Sequence, residues 1–438
     1  MSWNIGKELT VEQMAMAGDT DNPALIDITD LLNPVLTPLQ AEAMAMAEAN
    51  PVPMTEAAVL EMAVQNTGLK DFGDEGFRKN LQMWLRSTEA DTELTALGRA
   101  GIFMAMVRNA EVRLRVEDAV KQFPEILEID ITAPLIITGL PRSGTTYLQN
   151  FLASDPRLRS LPYWEALAPV PAPSQIVKPG EADPRREQCA KNWGQQDALL
   201  PYLKAIHPFS PDHIHEDIDF QTPEFGSYHL EWLSHAPLWR DYYFQMDQLP
   251  VYRYIKKCLQ VLSFQTGQKR WLIKCPQHME QLPVLKQVFP DATLVINHRD
   301  PVASIQSAIY GPAYSGRVTR THIDTQQIAD YWIDRYQRLL TACVQGRDSF
   351  DDNSSIDIYF HQLMQDPLAQ VKAIYAKAGL RYDAGIAQMM GDALNHHTRG
   401  EHGRIQYNLQ RDFGLKADEI RQQFNFYFER FPVQSEQI

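Results

Sequence analysis

Residues 134–148 read Pro134-Leu-Ile-Ile-Thr-Gly139-Leu-Pro-Arg142-Ser143-Gly144-Thr145-Thr146-Tyr147-Leu148. Leu135 to Ile137 is a short apolar run of the kind that suits a buried parallel strand. Gly139 and Pro141 then turn the chain into an apolar-periodic segment, Tyr147 to Leu152, so the whole reads as strand, tight loop, helix. A helix start leaves backbone N–H groups unpaired, with the positive end of the helix dipole behind them, which makes a seat for a phosphate. Small residues let the backbone approach an anion, and Ser143, Gly144, Thr145 and Thr146 supply that space and three hydroxyl donors. The spacing from Gly139 to Gly144 is that of a nucleotide-triphosphate loop, Gly-x-x-x-x-Gly-Lys-Ser/Thr, but Thr145 stands where the Lys belongs. Without that Lys, which reaches the outer phosphates, ordinary ATP or GTP hydrolysis is disfavoured. The cation sits inside the loop instead, at Arg142. The plainer alternative is a turn that only caps a helix, and so dense a Gly/Ser/Thr/Arg cluster argues against it.

Composition bounds the partners. The 438 residues suffice for one large or two ordinary domains, and a hydrophobic share of 44% allows a substantial core. A net charge of −14 disfavours a general role on nucleic acid or on an anionic membrane surface, so a polyanionic ligand needs a local basic pocket. Cys189, Cys258, Cys275 and Cys343 are scattered without metal-like pairs, which points to a reducing compartment rather than to disulfides or structural zinc. The start, Met1-Ser-Trp-Asn-Ile-Gly-Lys, lacks a charged segment followed by an apolar one, and no run of about 20 apolar residues occurs. A soluble, cytoplasmic protein with no membrane insertion is expected.

Residues 1–130 carry helix signals, and a helical N-terminal extension is expected there. Thr37-Pro38 is an N-cap followed by Pro at the first helical position, Thr55 to Gln65 is a weaker candidate, and Thr95 to Val120 is a longer amphipathic segment with Leu97, Ile102, Met106, Val112 and Val116 at helical spacing. Met104 and Met106 suit core filling. Residues 131–438 alternate strand and helix patterns, which predicts an α/β fold with a mostly parallel sheet flanked by helices. The further strands are Arg270 to Lys274, Ala292 to His298 and Ile356 to Phe360. The helices are Met279 to Phe289, a segment opened by Asp300-Pro301, Thr325 to Val344, and Asp366 to Gly379.

Candidate site residues fall at the ends of these strands, where open α/β sheets bind ligands. Lys274 and His278 follow the second strand, and Arg299, whose planar fork matches phosphate geometry, follows the third with Ser307 beyond it. Glu165, past the loop, is a candidate general base, or else a partner for Arg157 or Arg159. The span 199–262 is rich in aromatics, most of them core, but it also holds His207, His213, His215, Glu216, Asp217 and Asp219, the mixture that an acceptor pocket for a small molecule requires. His213 and His215 alternate as on one face of a strand, yet no third ligand at a recognisable spacing supports a metal. Thr398-Arg399-Gly400-Glu-His-Gly403-Arg404 is a second candidate phosphate contact or a solvated loop.

Three blocks in order resemble the sulfotransferases that use 3′-phosphoadenosine-5′-phosphosulfate (PAPS). They are the loop from Gly139 to Tyr147, the segment in which Arg299 and Ser307 stand eight apart, and, more weakly, Arg399-Gly400 with Gly403. The spans Phe72-Gly-Asp-Glu-Gly-Phe77, Leu94 to Asp118 and Lys274 to Pro301 look like a bacterial branch with a helical extension. The resemblance implies that the loop from Arg142 through Ser143, Gly144, Thr145, Thr146 and Tyr147 holds the 5′-phosphosulfate and that Arg299 and Ser307 hold the 3′-phosphate. Arg399 and Gly400 would close over the nucleotide. It implies that Arg142 neutralises charge on the departing phosphate and that Lys274 takes the place of the Lys in the Lys-Thr-His motif of cytosolic members. Their catalytic His lies two residues after that Lys, where this chain has Pro276. The base is then His278 or Glu165, the latter placed past the loop like the catalytic Glu of tyrosylprotein sulfotransferases. The expected reaction is metal-free sulfuryl transfer from PAPS to a hydroxyl or amine of a small-molecule acceptor. Its rivals are a P-loop kinase-like phosphotransferase, disfavoured by Thr145 and Arg299, and a non-catalytic nucleotide-binding protein whose helical extension is the working surface.

Overall fold

The computed structural model of the chain describes residues 24–178, 180–396 and 402–437. The start of the chain and the Arg399-Gly400 pair, read above from the sequence, lie outside the described residues. Seven strands occur among the described residues: β1 (Leu25–Ile26), β2 (Leu135–Gly139), β3 (Leu158–Arg159), β4 (Arg270–Lys274), β5 (Thr293–His298), β6 (Ser355–Tyr359) and β7 (Arg404–Ile405). Five form one all-parallel sheet in the order β3-β4-β2-β5-β6, with the loop-bearing strand β2 in the middle. Parallel strands need crossover connections, and the helices that make them cover both faces of the sheet.

Alternate residues of the strands supply two separate cores. Ile136, Ile273, Leu294 and Ile296 point to one, and Leu135, Ile137, Leu272, Val295 and Ile358 to the other. This is why β2 carries the unbroken apolar run 135–137 and β5 the run 294–296. On the first face lie the helices α6 (Leu249–Thr266), α7 (Pro301–Thr319) and α8 (Thr325–Gly346), and on the second α5 (Thr145–Ala153) and α9 (Pro367–Lys377).

The N-terminal helices α1 (Pro38–Ala49), α2 (Glu56–Thr67) and α4 (Ala96–Gln122) form where the sequence signals placed them, and α3 (Phe77–Ala90), which has no side-chain cap and which those signals did not mark, lies between α2 and α4. Thr37, Thr55 and Thr95 each accept a hydrogen bond from a backbone N–H of the first turn of their helix. Thr95 also donates to the Val318 carbonyl at 2.7 Å, and Gly98 lies so close to the Thr319 carbonyl that a Cβ there would stand 2.6 Å from the oxygen. The start of α4 is thus pressed against the end of α7. Phe77, Trp84, Ile102, Phe103 and Met106 pack with Phe225 and Trp239, while Val112 and Val116 reach the sheet core. Most aromatics of the 225–243 stretch are therefore core.

Three expectations need correcting. Met104 is 51% exposed whereas Met106 is fully buried, because only the second lies on the packed stripe. Met279 to Phe289 is not one helix but a 3₁₀ turn, Pro276–Glu280, followed by a helix, Leu282–Val288, because Pro283 has no N–H to continue a preceding helix. His213 and His215 are not on a regular strand, and a single bridge, Pro162 to Ile214, is all the ladder present there.

Candidate active site

The loop after β2 is held open by its backbone. Arg142 adopts φ 69° and Gly144 φ 88°, both left-handed, and Gly144 opens α5. The left-handed region suits Gly, whereas a non-Gly residue such as Arg142 pays for it in strain, as happens at sites where function requires a fixed geometry. Gly139 is needed for closeness: a Cβ there would lie 2.6 Å from the Asn297 carbonyl of the neighbouring strand and 2.7 Å from Ser143 Oγ. The Ser143 hydroxyl is buried and has no hydrogen-bond partner. A buried hydroxyl with no partner among the described residues is a donor open to a ligand. Thr145 is buried in the first helical turn, Thr146 is half-buried, and Tyr147 stacks edge-on against Phe151 at 4.6 Å.

The loop meets the Arg299 block directly. Arg142 Nε donates to Ser307 Oγ at 3.1 Å, and Arg299 Nη1 donates to the Arg142 carbonyl at 2.6 Å. β2 and β5 are adjacent, so the loop and the start of α7 emerge side by side, and Asp300 caps α7 through the Val302 N–H. Ser307 Oγ also bonds the Tyr407 hydroxyl at 2.9 Å. The Arg299 guanidinium lies over the Phe360 ring at 4.0 Å and makes a forked pair with Glu436, both contacts 2.6 Å.

On the other side β4 pairs with β2, so Lys274 stands opposite Ile137. Its ammonium, almost fully buried, donates to Thr146 Oγ1 at 3.4 Å and to the Glu216 carboxylate. Gln149 of α5 donates to the His215 carbonyl at 3.2 Å and draws the 207–219 stretch onto the loop helix. Rings gather there: His207 stacks on Phe209 at 4.3 Å, Phe209 on Trp193 at 4.5 Å, and Tyr163 contacts His215 at 4.3 Å. Burial pushes His207 well below its ordinary pKa, and the charges of Arg142, His213 and Lys274 add to the effect. His213 falls to about 3 by burial, with His215 and Lys274 acting the same way. These imidazoles are neutral at pH 7, so the wall beside the two cations adds no competing positive charge. Asp219, although burial raises it, is held to about 2 by the hydrogen bond from His215 and the Arg108 charge.

The two sequence-proposed bases are engaged by other partners. Glu165, on the short helix Tyr163–Leu167, is buried and its two oxygens take the Arg159 fork at 3.0–3.2 Å, the pairing weighed above as its alternative. His278 is fully buried, with Nδ1 on the Tyr252 hydroxyl at 2.9 Å and Nε2 on Asp217 at 3.1 Å. Both ring nitrogens are taken. Sequence reasoning passed over Glu216, Tyr407 and Glu436 as contacts of the key residues. Glu216 had a signal, its place beside His215 in the polar run, whereas nothing local marked Tyr407 or Glu436. Among the described residues no cluster of three or more His, Cys, Asp or Glu fits a metal ion.

Comparison with known proteins agrees with this fold. The family model described as "Sulfotransferase family" matches residues 134–384. The chain is 24% identical over 293 residues to omega-hydroxy-beta-dihydromenaquinone-9 sulfotransferase Stf3 of Mycobacterium bovis and of Mycobacterium tuberculosis, an alignment that covers 60% of this chain and 68% of the relative. Among solved structures, sulfotransferase STF1 from Mycobacterium tuberculosis H37Rv superposes with TM-score 0.74 at 27% identity, over 84% of this chain and 98% of that one. Sulfotransferase STF9 from Mycobacterium avium, at 24% identity, shares the fold with TM-score 0.77 over 88% and 99% of the two chains.

Proposed function

This chain belongs to the sulfotransferase family and is an enzyme of sulfuryl transfer, and from that premise we propose that its donor is PAPS. The sulfate-bearing end sits in the loop from Arg142 to Tyr147 and the 3′-phosphate against Arg299 and Ser307. The observation that carries this reading is the junction of the two blocks: Arg142 bonds Ser307, and Arg299 bonds the Arg142 carbonyl. Two phosphate-matching arginines stand side by side, which supports two adjacent anion seats, one for each phosphate of a doubly phosphorylated adenosine.

In the transfer a bond forms from the acceptor oxygen to sulfur while the bond from sulfur to the phosphate oxygen breaks, and the acceptor proton passes to a base. Negative charge grows on the sulfuryl oxygens and on the leaving phosphate, where Arg142, Lys274, the Ser143 hydroxyl and the start of α5 stabilise it. The base adds about 10²–10⁴-fold. Glu165 fills that role by resemblance. The occupied ring nitrogens of His278 weigh against it, and the contact of Glu216 with Lys274 favours Glu216 as a second candidate. The acceptor is a small molecule presenting a hydroxyl, in keeping with the omega-hydroxy compound in the relatives' name, with the rings of Tyr163, Trp193, His207 and Phe209 as its wall. The four free, buried thiols support a reducing, cytoplasmic setting.

Calorimetry with 3′-phosphoadenosine-5′-phosphate (PAP) against ATP plus Mg²⁺ tests the donor. PAP should bind and ATP plus Mg²⁺ should not; the reverse result overturns the reading in favour of a phosphotransferase. A panel of hydroxyl acceptors with labelled sulfate donor then identifies the acceptor class.

A further inference from the structure

The Arg299 fork is already occupied by a carboxylate of this same chain. Glu436 Oε1 and Oε2 accept from Arg299 Nε and Nη2, both at 2.6 Å, the planar two-bond pairing by which an Arg also takes a phosphate. The tail is held there independently of that carboxylate. The Glu436 N–H donates to Asp300 at 2.8 Å, its carbonyl accepts from Arg421 at 3.1 Å, and Arg421 itself pairs with the fully buried Asp300. Val433, Ser435 and Glu436 close, with His298, Arg299 and Phe360, around a small cavity at the mouth of β5. The other side of Arg299 is fixed too, by the Arg142 carbonyl and the Phe360 ring, so the guanidinium cannot turn away to meet a second anion.

We propose that Glu436 is an internal competitor for the 3′-phosphate seat: its carboxylate holds Arg299 in the free enzyme, yields it when a 3′-phosphorylated nucleotide binds, and takes it back as the nucleotide leaves. This rests on the reading of Arg299 as the 3′-phosphate residue. The exchange involves no covalent step. One anion replaces another on a fixed cation, and the backbone anchors at Asp300 and Arg421 keep the displaced carboxylate close enough to return. A seat that is free only a tenth of the time binds its ligand about tenfold more weakly than one that is always free. The same competition lowers the affinity for the bisphosphate product, whose release sets the turnover of many enzymes. The carboxylate thus limits product retention in an enzyme that must let go of a ligand sharing nearly every donor contact.

The test is calorimetry at constant ionic strength on the full chain and on Glu436→Ala and Glu436→Gln, with PAP and with adenosine 5′-phosphosulfate, which lacks the 3′-phosphate. PAP should bind about tenfold more tightly to the variants, while adenosine 5′-phosphosulfate binds all three proteins alike, because it never asks for Arg299. Equal PAP affinity in all three proteins overturns the competitor role and leaves the donor reading intact. A parallel gain for both ligands overturns it too, since that marks general loosening of the tail. Failure of PAP to bind any of the three proteins removes the donor reading, and the proposal with it.

Discussion

At the scale of single residues, the chemistry of the site is set by side chains whose identity is local and whose partners are not. Arg142, Lys274 and Arg299 were readable as candidates because each sits at a strand end or on the loop, and Ser307, inside α7, because it stands eight residues after Arg299. Their partners Tyr407 and Glu436 were not, since each arrives from a separate part of the chain by a path no local pattern records, and Glu216 was legible only as a member of the polar run beside His215, not as the partner of Lys274. Arg142 carries a testable conflict between fold and function. Its left-handed backbone costs on the order of 1 kcal/mol that Gly does not incur. Arg142→Gly should therefore leave the melting temperature unchanged or slightly raised while PAP affinity falls at least tenfold; a clear loss of stability contradicts the strain argument. Lys274→Ala should abolish sulfate transfer, and because it strands the Glu216 carboxylate it should also lower stability by about 1–3 kcal/mol. Glu165→Gln and Glu216→Gln, compared in kcat and in the acid limb of the pH profile, separate the two carboxylates: only the base should lose both.

At the scale of elements, β2, β4, β5 and β6 were legible almost to the residue from their short apolar runs, whereas the two-residue strands β1, β3 and β7 are too short to leave such a run. The cap at Thr37 and the amphipathic spacing from Thr95 gave their helix starts for similarly local reasons. What escaped was local geometry imposed by one residue or by tertiary packing, as at Pro283, or in the His213–His215 stretch, which is shaped by its contacts to α5 and Tyr163 rather than by a strand partner. The docking of α4 on α7 makes a sharp case. Gly98→Ala improves helix propensity by about 1 kcal/mol in isolation, yet its Cβ meets the Thr319 carbonyl, so the folded protein should lose stability in urea titration. A second case is Arg335 of α8, fully buried between Glu231 and Glu280. Arg335→Ala removes the cation and leaves two carboxylates buried together, for an expected loss of about 3–5 kcal/mol in the same titration.

At the scale of the whole molecule, buried neutral histidines make stability depend on acidity. His207 is held well below its ordinary value, His213 at about 3 and His229 at about 4, in each case chiefly by burial. The unfolded chain takes up protons on these rings near pH 6.5, whereas the folded chain does not until much lower. Their contribution is therefore fully present above about pH 6.5 and is lost as the pH falls toward 4, on the order of 1 kcal/mol per ring per pH unit. Glu224 and Glu231, raised by burial, act in the opposite sense and offset part of it. Calorimetric scans at pH 7, 6 and 5 should show a falling melting temperature, and a flat series contradicts the neutral-ring assignment.

The parallel pair of β1 with β7 joins Leu25–Ile26 to Arg404–Ile405, and Asp27 and Asp30 add ion pairs to Arg411 and Arg317. Two residues beyond that pair lies Tyr407, which steadies Ser307, and through Ser307 the loop arginine. The 25–30 stretch is in this way a guy-rope on the loop arginine. Trimming it back past Asp30, or fusing a bulky tag to a shortened start, should slacken the grip on nucleotide from more than a hundred positions upstream of the loop itself.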